Sequence, residues 1–246
     1  IVVPWNDSDA VAAALAAHEV AAILAEPVPA NMGLVPPADG FLEHLREQAD
    51  EHGALLVLDE VITGFRVGRG GAQERYGVEA DLTVLGKVLG GGLPAAAYGG
   101  RRALMERVAP AGDVYQAGTL AGNPLAVAAG IATLSKLDAA AYRRLGALTD
   151  RLAEGLAAAA GDDRVSLASS PGLVTLFFAA EAPRDFASAS ACDLDAYGRF
   201  ARALLDRGVY PPASQFEAWF VSLAHDEAAI DHTCEAAAEA FAEVLV

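Results

Sequence analysis

Three apolar runs in this sequence end on a charged side chain. Val20 to Ala25 ends at Glu26, Ala54 to Leu58 ends at Asp59-Glu60, and Asp81 to Leu85 ends at Gly86-Lys87. A lysine set among glycine and apolar residues is partly desolvated, which lowers its pKa and frees a neutral amine. Such an amine can form a Schiff base with a carbonyl. A carboxylate at the end of the neighbouring strand could hold the protonated ring nitrogen of a cofactor such as pyridoxal phosphate and keep that ring an effective electron sink. The same Lys87–Asp59 pair also fits a structural salt bridge at a sheet edge, because ion-pair networks perturb pKa values too.

Other chemistries fit less well. An acidic strand end can support magnesium in a nucleotide hydrolase, but that needs a G-x-x-x-x-G-K-[ST] loop. Gly86-Lys87 has Asp81 where the first glycine belongs and Val88 where the hydroxyl belongs. Gly90-Gly91-Gly92 leads through Leu93-Pro94 into a strand, whereas a dinucleotide loop opens a helix. These glycines are expected to let the backbone pass close to Lys87 or its ligand. Gly118-Thr119 lies just before a helix capped by Asn123, where backbone N–H groups and a hydroxyl suit an anion such as phosphate; an ordinary loop fits as well. His18, His44, His52, His225 and His232 show no metal-ligand spacing, so no metal is expected. His44 and His52 read as surface residues of one helix.

The elements that must position these groups alternate. Ile1 to Trp5 reads as a strand, with a capped helix from Asp9 to His18. The Pro-rich stretch after Glu26 is a loop, and Asp39 is expected to cap a helix ending at Gly53. Ala54 to Leu58 and Asp81 to Leu85 read as strands buried on both faces. Gly64 to Gly71 reads as a loop, followed later by a strand around Ala95 to Tyr98 and a helix from Arg101. Pro124 opens a buried helix towards Leu137. The fold class is therefore α/β, with a mostly parallel sheet carrying ligands at the carboxyl ends of its strands. From Ala139 the texture becomes α+β: helix to Ala160, strands at 164–167 and 173–178, helix 193–207, strand 219–223 and helix 226–244. The domain boundary is placed near Lys136, giving 1–136 and 137–246.

Composition narrows the partners. The 246 residues are 54% hydrophobic and 20% charged, which excludes a disordered chain. A net charge of −16 repels phosphate backbones and anionic surfaces, so neither nucleic acid nor membrane is expected as a partner. The charge-free stretch from Val114 to Ser135 is long enough to span a bilayer, yet Gln116, Thr119, Asn123 and Pro124 argue for a polar loop entering a helix. Cys192 and Cys234 form no metal or redox pattern, as expected of a reduced cytoplasmic protein.

Several stretches together resemble one family: Glu26-Pro-Val-Pro-Ala-Asn31-Met-Gly33, Leu58-Asp59-Glu-Val61-Ile-Thr-Gly-Phe-Arg66, Gly70-Gly-Ala-Gln73 and Leu85-Gly-Lys87-Val-Leu-Gly-Gly-Gly-Leu-Pro94, with Tyr115-Gln-Ala-Gly118-Thr119-Leu-Ala-Gly-Asn123-Pro124 and Ser214-Gln-Phe-Glu217-Ala218. They are similar to the glutamate-1-semialdehyde 2,1-aminomutases, pyridoxal-phosphate enzymes of the class III aminotransferase group. The resemblance implies a fold-type-I large domain followed by a small C-terminal domain. It implies that Lys87 bonds the cofactor and shuttles protons, that Asp59 pairs with the pyridine nitrogen, and that Val61 packs on a ring face. Asn31 would hydrogen-bond the ring hydroxyl oxygen. Gly118 and Thr119 would reach the cofactor phosphate of a neighbouring subunit, so a homodimer is implied. Glu217 would lie near the substrate end, and Trp219, bulkier than the pattern, would narrow or reshape the site. The reaction implied is the conversion of the small amino acid (S)-4-amino-5-oxopentanoate to 5-aminolevulinate, a tetrapyrrole precursor. A class III ω-aminotransferase, or an incomplete chain acting only as a dimer partner, are the alternatives. Chains of that family begin well before Ile1. The phosphate-holding loop, the aromatic that stacks on the cofactor and the substrate-carboxylate residues are therefore expected outside this sequence.

Overall fold

A computed structural model describes residues 1–161 and 163–245. Its first sheet runs in the order β1 (Ala22–Ala25), β2 (Leu55–Glu60), β3 (Leu82–Leu85), β4 (Ala97–Gly100). The first three strands are parallel and β4 is antiparallel to β3, so the sheet is mostly parallel. Helix α1 (Ser8–Ala17) precedes it, capped by Asp7, whose Oδ1 accepts from Ala10 N at 2.9 Å. Helix α2 (Phe41–His52) joins β1 to β2 and buries Phe41, Leu42, Leu45 and Ala49 along one stripe. It starts after Gly40 rather than on an Asp39 cap, and it stops at Gly53, whose φ of +67° only glycine adopts cheaply. Helices α3 (Gly71–Tyr76), α4 (Arg102–Met105) and α5 (Pro124–Leu134) follow.

Residues 1–5 form no strand. Ile1 and Val2 are 80% and 99% exposed, and among the described residues no strand pairs with them. Strand β2 is buried through Leu56, Leu58 and Glu60 and only half-buried through Leu55, Val57 and Asp59, so one face is partly open where two covered faces were expected. Helix α5 is also not the buried helix expected there. Ala126 and Gly130 are covered, while Leu125, Val127 and Ile131 stand exposed. Its 11 residues rise only about 16 Å, short of a bilayer core of roughly 30 Å. Among the described residues no single helix is long and apolar enough to cross a membrane.

Helix α6 (Ala139–Ala160) begins a second set of elements: β5 (Ser166–Ser170), β6 (Leu173–Phe177), α7 (Phe186–Ser190), α8 (Leu194–Asp206), β7 (Trp219–Phe220) and α9 (Glu227–Val244). Strand β6, buried at every residue, is the centre of an antiparallel β5-β6-β7 sheet. The core joins Leu145, Leu152 and Leu156 of α6 to Phe200 and Leu204 of α8 and Phe241 of α9. Phe200 and Phe241 stack at 4.4 Å, with Phe178 edge-on to Phe200 at 5.7 Å. By contact the chain forms two units: Ile1–Val3, Asp7–Pro27 and Pro37–Asp138 make one; Pro4–Asn6, Val28–Pro36 and Ala139–Val246 make the other. The stretch 28–36 joins the second because Leu34 N donates to the buried Thr175 Oγ1 at 3.0 Å and Gly33 N donates to Phe216 O at 2.9 Å.

The buried carboxylate of Asp81 locks the N-terminal end of the first sheet. Its Oδ2 accepts from Leu56 N at 2.7 Å and from Arg46 Nη1 at 2.9 Å. Arg101 Nη2 lies 2.6 Å from Oδ1, close enough to pair charges though not aligned as a hydrogen bond. Burial alone raises this carboxyl, but the Leu56 N–H and the Arg46 guanidinium outweigh it and hold the group below its ordinary value of 3.8. The stability this supplies is fully present above that value and is lost as pH falls below it towards the lower native value. Asp81→Asn should cost about 2–4 kcal/mol at neutral pH by leaving Arg46 without its buried partner. In denaturant titrations the gap to wild type should hold above the ordinary carboxyl value of 3.8 and narrow as pH falls below it.

Gly33 supplies a second test. Its φ is +75°, and a Cβ there would lie 2.4 Å from Phe177 Cε1 and 3.2 Å from Gln215 O. Gly33→Ala should lose about 2–4 kcal/mol, combining left-handed strain with overpacking, as read from the denaturation midpoint.

Candidate active site

Parallel pairing brings the carboxyl ends of β2 and β3 together. Asp59 is opposite Val84 and Glu60 opposite Leu85, so Lys87 emerges two residues past the pair that ends the ladder. The Asp59 side chain is half-buried on the partly open face. Its Oδ1 accepts from Val61 N at 3.0 Å, a local turn that fixes the carboxylate, while Oδ2 accepts no hydrogen bond among the described residues. Val61 turns back onto the lysine strand. A Cβ on Gly86 would lie 3.2 Å from Val61 Cγ1, so the missing side chain at Gly86 is what lets Val61 sit against the residue preceding Lys87.

Lys87 has φ +43°, in the left-handed region, which costs a non-glycine residue about 1–2 kcal/mol. It opens a single 3₁₀ turn, Lys87–Gly90, held by Leu89 N donating to Gly86 O and Gly91 N donating to Val88 O. The side chain is exposed, which corrects the expectation of a partly desolvated lysine. A strained backbone at an exposed lysine is the kind of outlier that structures retain at functional positions.

Glu60, next to Asp59, points to the opposite face and is 1% exposed. Its carboxylate accepts from Thr63 Oγ1 at 2.8 Å, Ala72 N at 2.6 Å, Gln73 N at 3.2 Å and Gln73 Nε2 at 3.0 Å. Gln73 Nε2 also reaches Thr83 Oγ1 on β3 at 3.0 Å. Gly71 makes room for this: its φ is +67°, and a Cβ would stand 2.2 Å from Glu60 Oε2. The Gly-rich loop thus runs straight into α3, anchored on a residue more than ten positions earlier. The two-residue spacing of Glu60 from Leu58 and Leu56, which puts it on their face of the strand, is the sequence signal for this role. Arg66 in the same loop is pushed down to about 10 by burial.

The glycine run after Lys87 answers mainly to α5. A Cβ on Gly91 would lie 2.5 Å from Ala129 O, and one on Gly130 would lie 2.3 Å from Leu89 O. Gly91 also has φ +57°. At Gly91 the missing side chain makes room for α5, while a Cβ on Gly92 would meet nothing within 4 Å. Asn123 caps α5 as expected, its Oδ1 accepting from Ala126 N at 3.0 Å. Gly118 and Thr119 lie on an exposed loop upstream of that cap, not on the first helical turn. Gly118 and Gln116 line an open, largely apolar cleft of about 710 Å³ with Leu89, Pro94 and the exposed side of α5.

Lys87, Asp59, Val61, Gly118 and Thr119 all belong to the first unit; Asn31 and Glu217 belong to the second. There Asn31 and Glu217 are both exposed, on segments joined by the Gly33 N to Phe216 O bond. Trp219 is turned into the core, 6% exposed, with Nε1 donating to Tyr197 Oη at 3.2 Å. Among the described residues no three His, Cys, Asp or Glu side chains converge as a metal site. Both cysteine thiols are free and are pushed up by burial.

Comparison with known proteins places this geometry. The family description "Aminotransferase class-III" matches residues 7–244. Glutamate-1-semialdehyde 2,1-aminomutase of Thermomicrobium roseum is 53% identical over 99% of the chain, and that of Roseiflexus castenholzii is 55% identical over 98%. The chain spans 58% and 57% of those two relatives, respectively. Among solved structures, an omega-transaminase from Sphaerobacter thermophilus superposes with a TM-score of 0.91 at 29% identity, covering 100% of this chain and 57% of that one. A glutamate-1-semialdehyde aminomutase from Pseudomonas aeruginosa superposes at 0.88 and 31%, covering 99% and 56%. The chain belongs to the class III aminotransferases.

Proposed function

We propose that this chain acts in a pyridoxal-phosphate-dependent aminomutase that converts (S)-4-amino-5-oxopentanoate to 5-aminolevulinate. The observation that carries the reading is the placement of Asp59 and Lys87 at the carboxyl ends of adjacent parallel strands, with Val61 wedged against Gly86 between them. The names of the T. roseum and R. castenholzii relatives support the substrate.

The residues present fit the cofactor. Asp59 retains an unoccupied carboxylate oxygen on a partly open face, suited to a pyridinium N–H, and Lys87 offers an exposed amine. Pyridoxal phosphate, when bound, supplies the electron sink that lets a C–H bond beside nitrogen ionise. Lys87 would bond the cofactor's aldehyde carbon with loss of water, and once an incoming amine had displaced it, its free amine would shuttle protons at the substrate carbons. Asp59 would accept the ring N–H at its open oxygen and so favour the protonated ring nitrogen. Val61 would bear on one ring face and Asn31 would donate to the ring hydroxyl oxygen. Gly118 and Thr119 would reach the phosphate held by a second copy, so the working form would be a homodimer. Glu217 lies at the substrate end. Substrate and product are isomers, with amino and oxo groups exchanged between two carbons, so no second amino acceptor is consumed. The free thiols of buried Cys192 and half-buried Cys234 suit a reducing, cytoplasmic setting.

A second reading, an ω-aminotransferase with an external acceptor, is favoured by the 0.91 superposition on the S. thermophilus enzyme. Turnover of the semialdehyde without added keto acid separates the two: a mutase continues, while a transaminase stops after one half-reaction. A chain serving only as a dimer partner would give no cofactor absorbance band at all. Added pyridoxal phosphate should produce a band that Lys87→Ala abolishes. Asp59→Asn should keep the band and lower kcat by about 10²–10³-fold, the usual loss when an electrostatic partner is neutralised. A band that survives in Lys87→Ala overturns the assignment.

A further inference from the structure

The loop 213–218 leaves the core of the second unit and returns to it. Gln215 and Ala218 stay buried while Glu217 is carried to the surface. One hydroxyl touches both ends of this loop. Tyr197 Oη donates to Pro212 O at 2.9 Å on the entering side and accepts from Trp219 Nε1 at 3.2 Å on the leaving side. Tyr197 is 2% exposed. Burial pushes its phenol up to about 12, with the nearby Glu217 carboxylate adding to the rise and the Trp219 N–H opposing it. The proton therefore stays on oxygen at neutral pH, and the group remains a donor to Pro212. Between the clipped ends, Gln215 Oε1 accepts from Phe178 N at 3.3 Å and Phe216 O accepts from Gly33 N at 2.9 Å. The second bond ties the loop to the segment bearing Asn31.

We propose that Tyr197, with Trp219 as its donor, is a positioning residue: its hydroxyl clips the two ends of the 213–218 loop and so fixes Glu217 where the substrate is held. This rests on the reading of Glu217 as a residue of the substrate end. An indole is needed at 219 because, of the bulky apolar side chains, only it offers an N–H at that depth.

Backbone hydrogen exchange on the whole protein tests the clip. In Tyr197→Phe, peptides covering 213–218 should exchange about tenfold faster while those from α6 and β6 keep wild-type rates, the effect of losing one buried hydrogen bond. Trp219→Phe should accelerate the same peptides less, because the bond to Pro212 survives; should Tyr197→Phe fail to fold, this variant carries the comparison. Thr149→Val is the control for a merely structural loss. It removes a buried hydroxyl bonded to Leu145 O and Gly172 N, and should lower stability without singling out the loop. Loop exchange at the wild-type rate in the position-197 and position-219 variants overturns the clip. In turnover assays Tyr197→Phe should raise KM about tenfold with kcat within about threefold. Faster loop exchange with unchanged KM overturns the role in holding substrate. If the unmodified protein does not turn over the semialdehyde, the functional reading fails by itself, and exchange still decides the clip.

Discussion

The parallel register of β2 against β3 is the constraint on which the candidate site depends. A slip of one residue would send Asp59 to the face now occupied by Glu60. The register is fixed at the opposite end of the strands from the chemistry. There Asp81, at the start of β3, accepts the backbone N–H of Leu56 on β2 and the guanidinium of Arg46 on α2. A charged group buried so deeply is tolerated only while those partners remain, so pairing in any other register would strand it. The clamp is specific in the way that apolar packing between two Leu/Val-rich strands is not.

With register set, the backbone between strands decides what the side chains can reach. Lys87 sits in a left-handed conformation after an extended Gly86, and the turn is closed by two 3₁₀ hydrogen bonds. Such strain persists only where surroundings over-determine it. Here they do, from two sides: Val61 against Gly86, and α5 against Leu89–Gly91 through contacts that admit no Cβ. The amine is thus carried by a rigid turn, which is what a group that must meet one carbon atom requires.

Much of this was legible before any coordinates. The β2 and β3 runs, each ending in its charged residue, emerge where the apolar runs place them, because a strand end is written in a local change from apolar to charged. What was not legible depends on distant partners. The segment 28–36 reads as a Pro-rich loop, and nothing local says that Leu34 will donate to Thr175, which lies 141 positions away. Helix α3 is six residues drawn from a glycine-rich stretch, and its start is held by Glu60 from another element. The glycines after Lys87 advertise close approach, but not whether a ligand or a helix approaches. Trp219 looks oversized beside Glu217 only until strand alternation turns it inward, towards Tyr197.

Three acids on this sheet show why one of them is free to work. Glu60 is buried and satisfied by four neutral donors, so its acceptor capacity is spent on holding the 63–73 loop. Asp81 is buried, with Oδ2 accepting from Leu56 N and Arg46 Nη1 and Oδ1 charge-paired with Arg101, so its charge is spent on register. Asp59 is half-buried, with one oxygen fixed by Val61 N and the other accepting nothing. A carboxylate in that condition is oriented but not neutralised. A cationic N–H arriving at the open face would gain a charge-assisted hydrogen bond without breaking an existing one. Glu60 could accept such a cation only by giving up a bond that holds the fold, and Asp81 is buried and already neutralised by two guanidinium groups, so the fold itself selects the acid that can meet an incoming ring nitrogen.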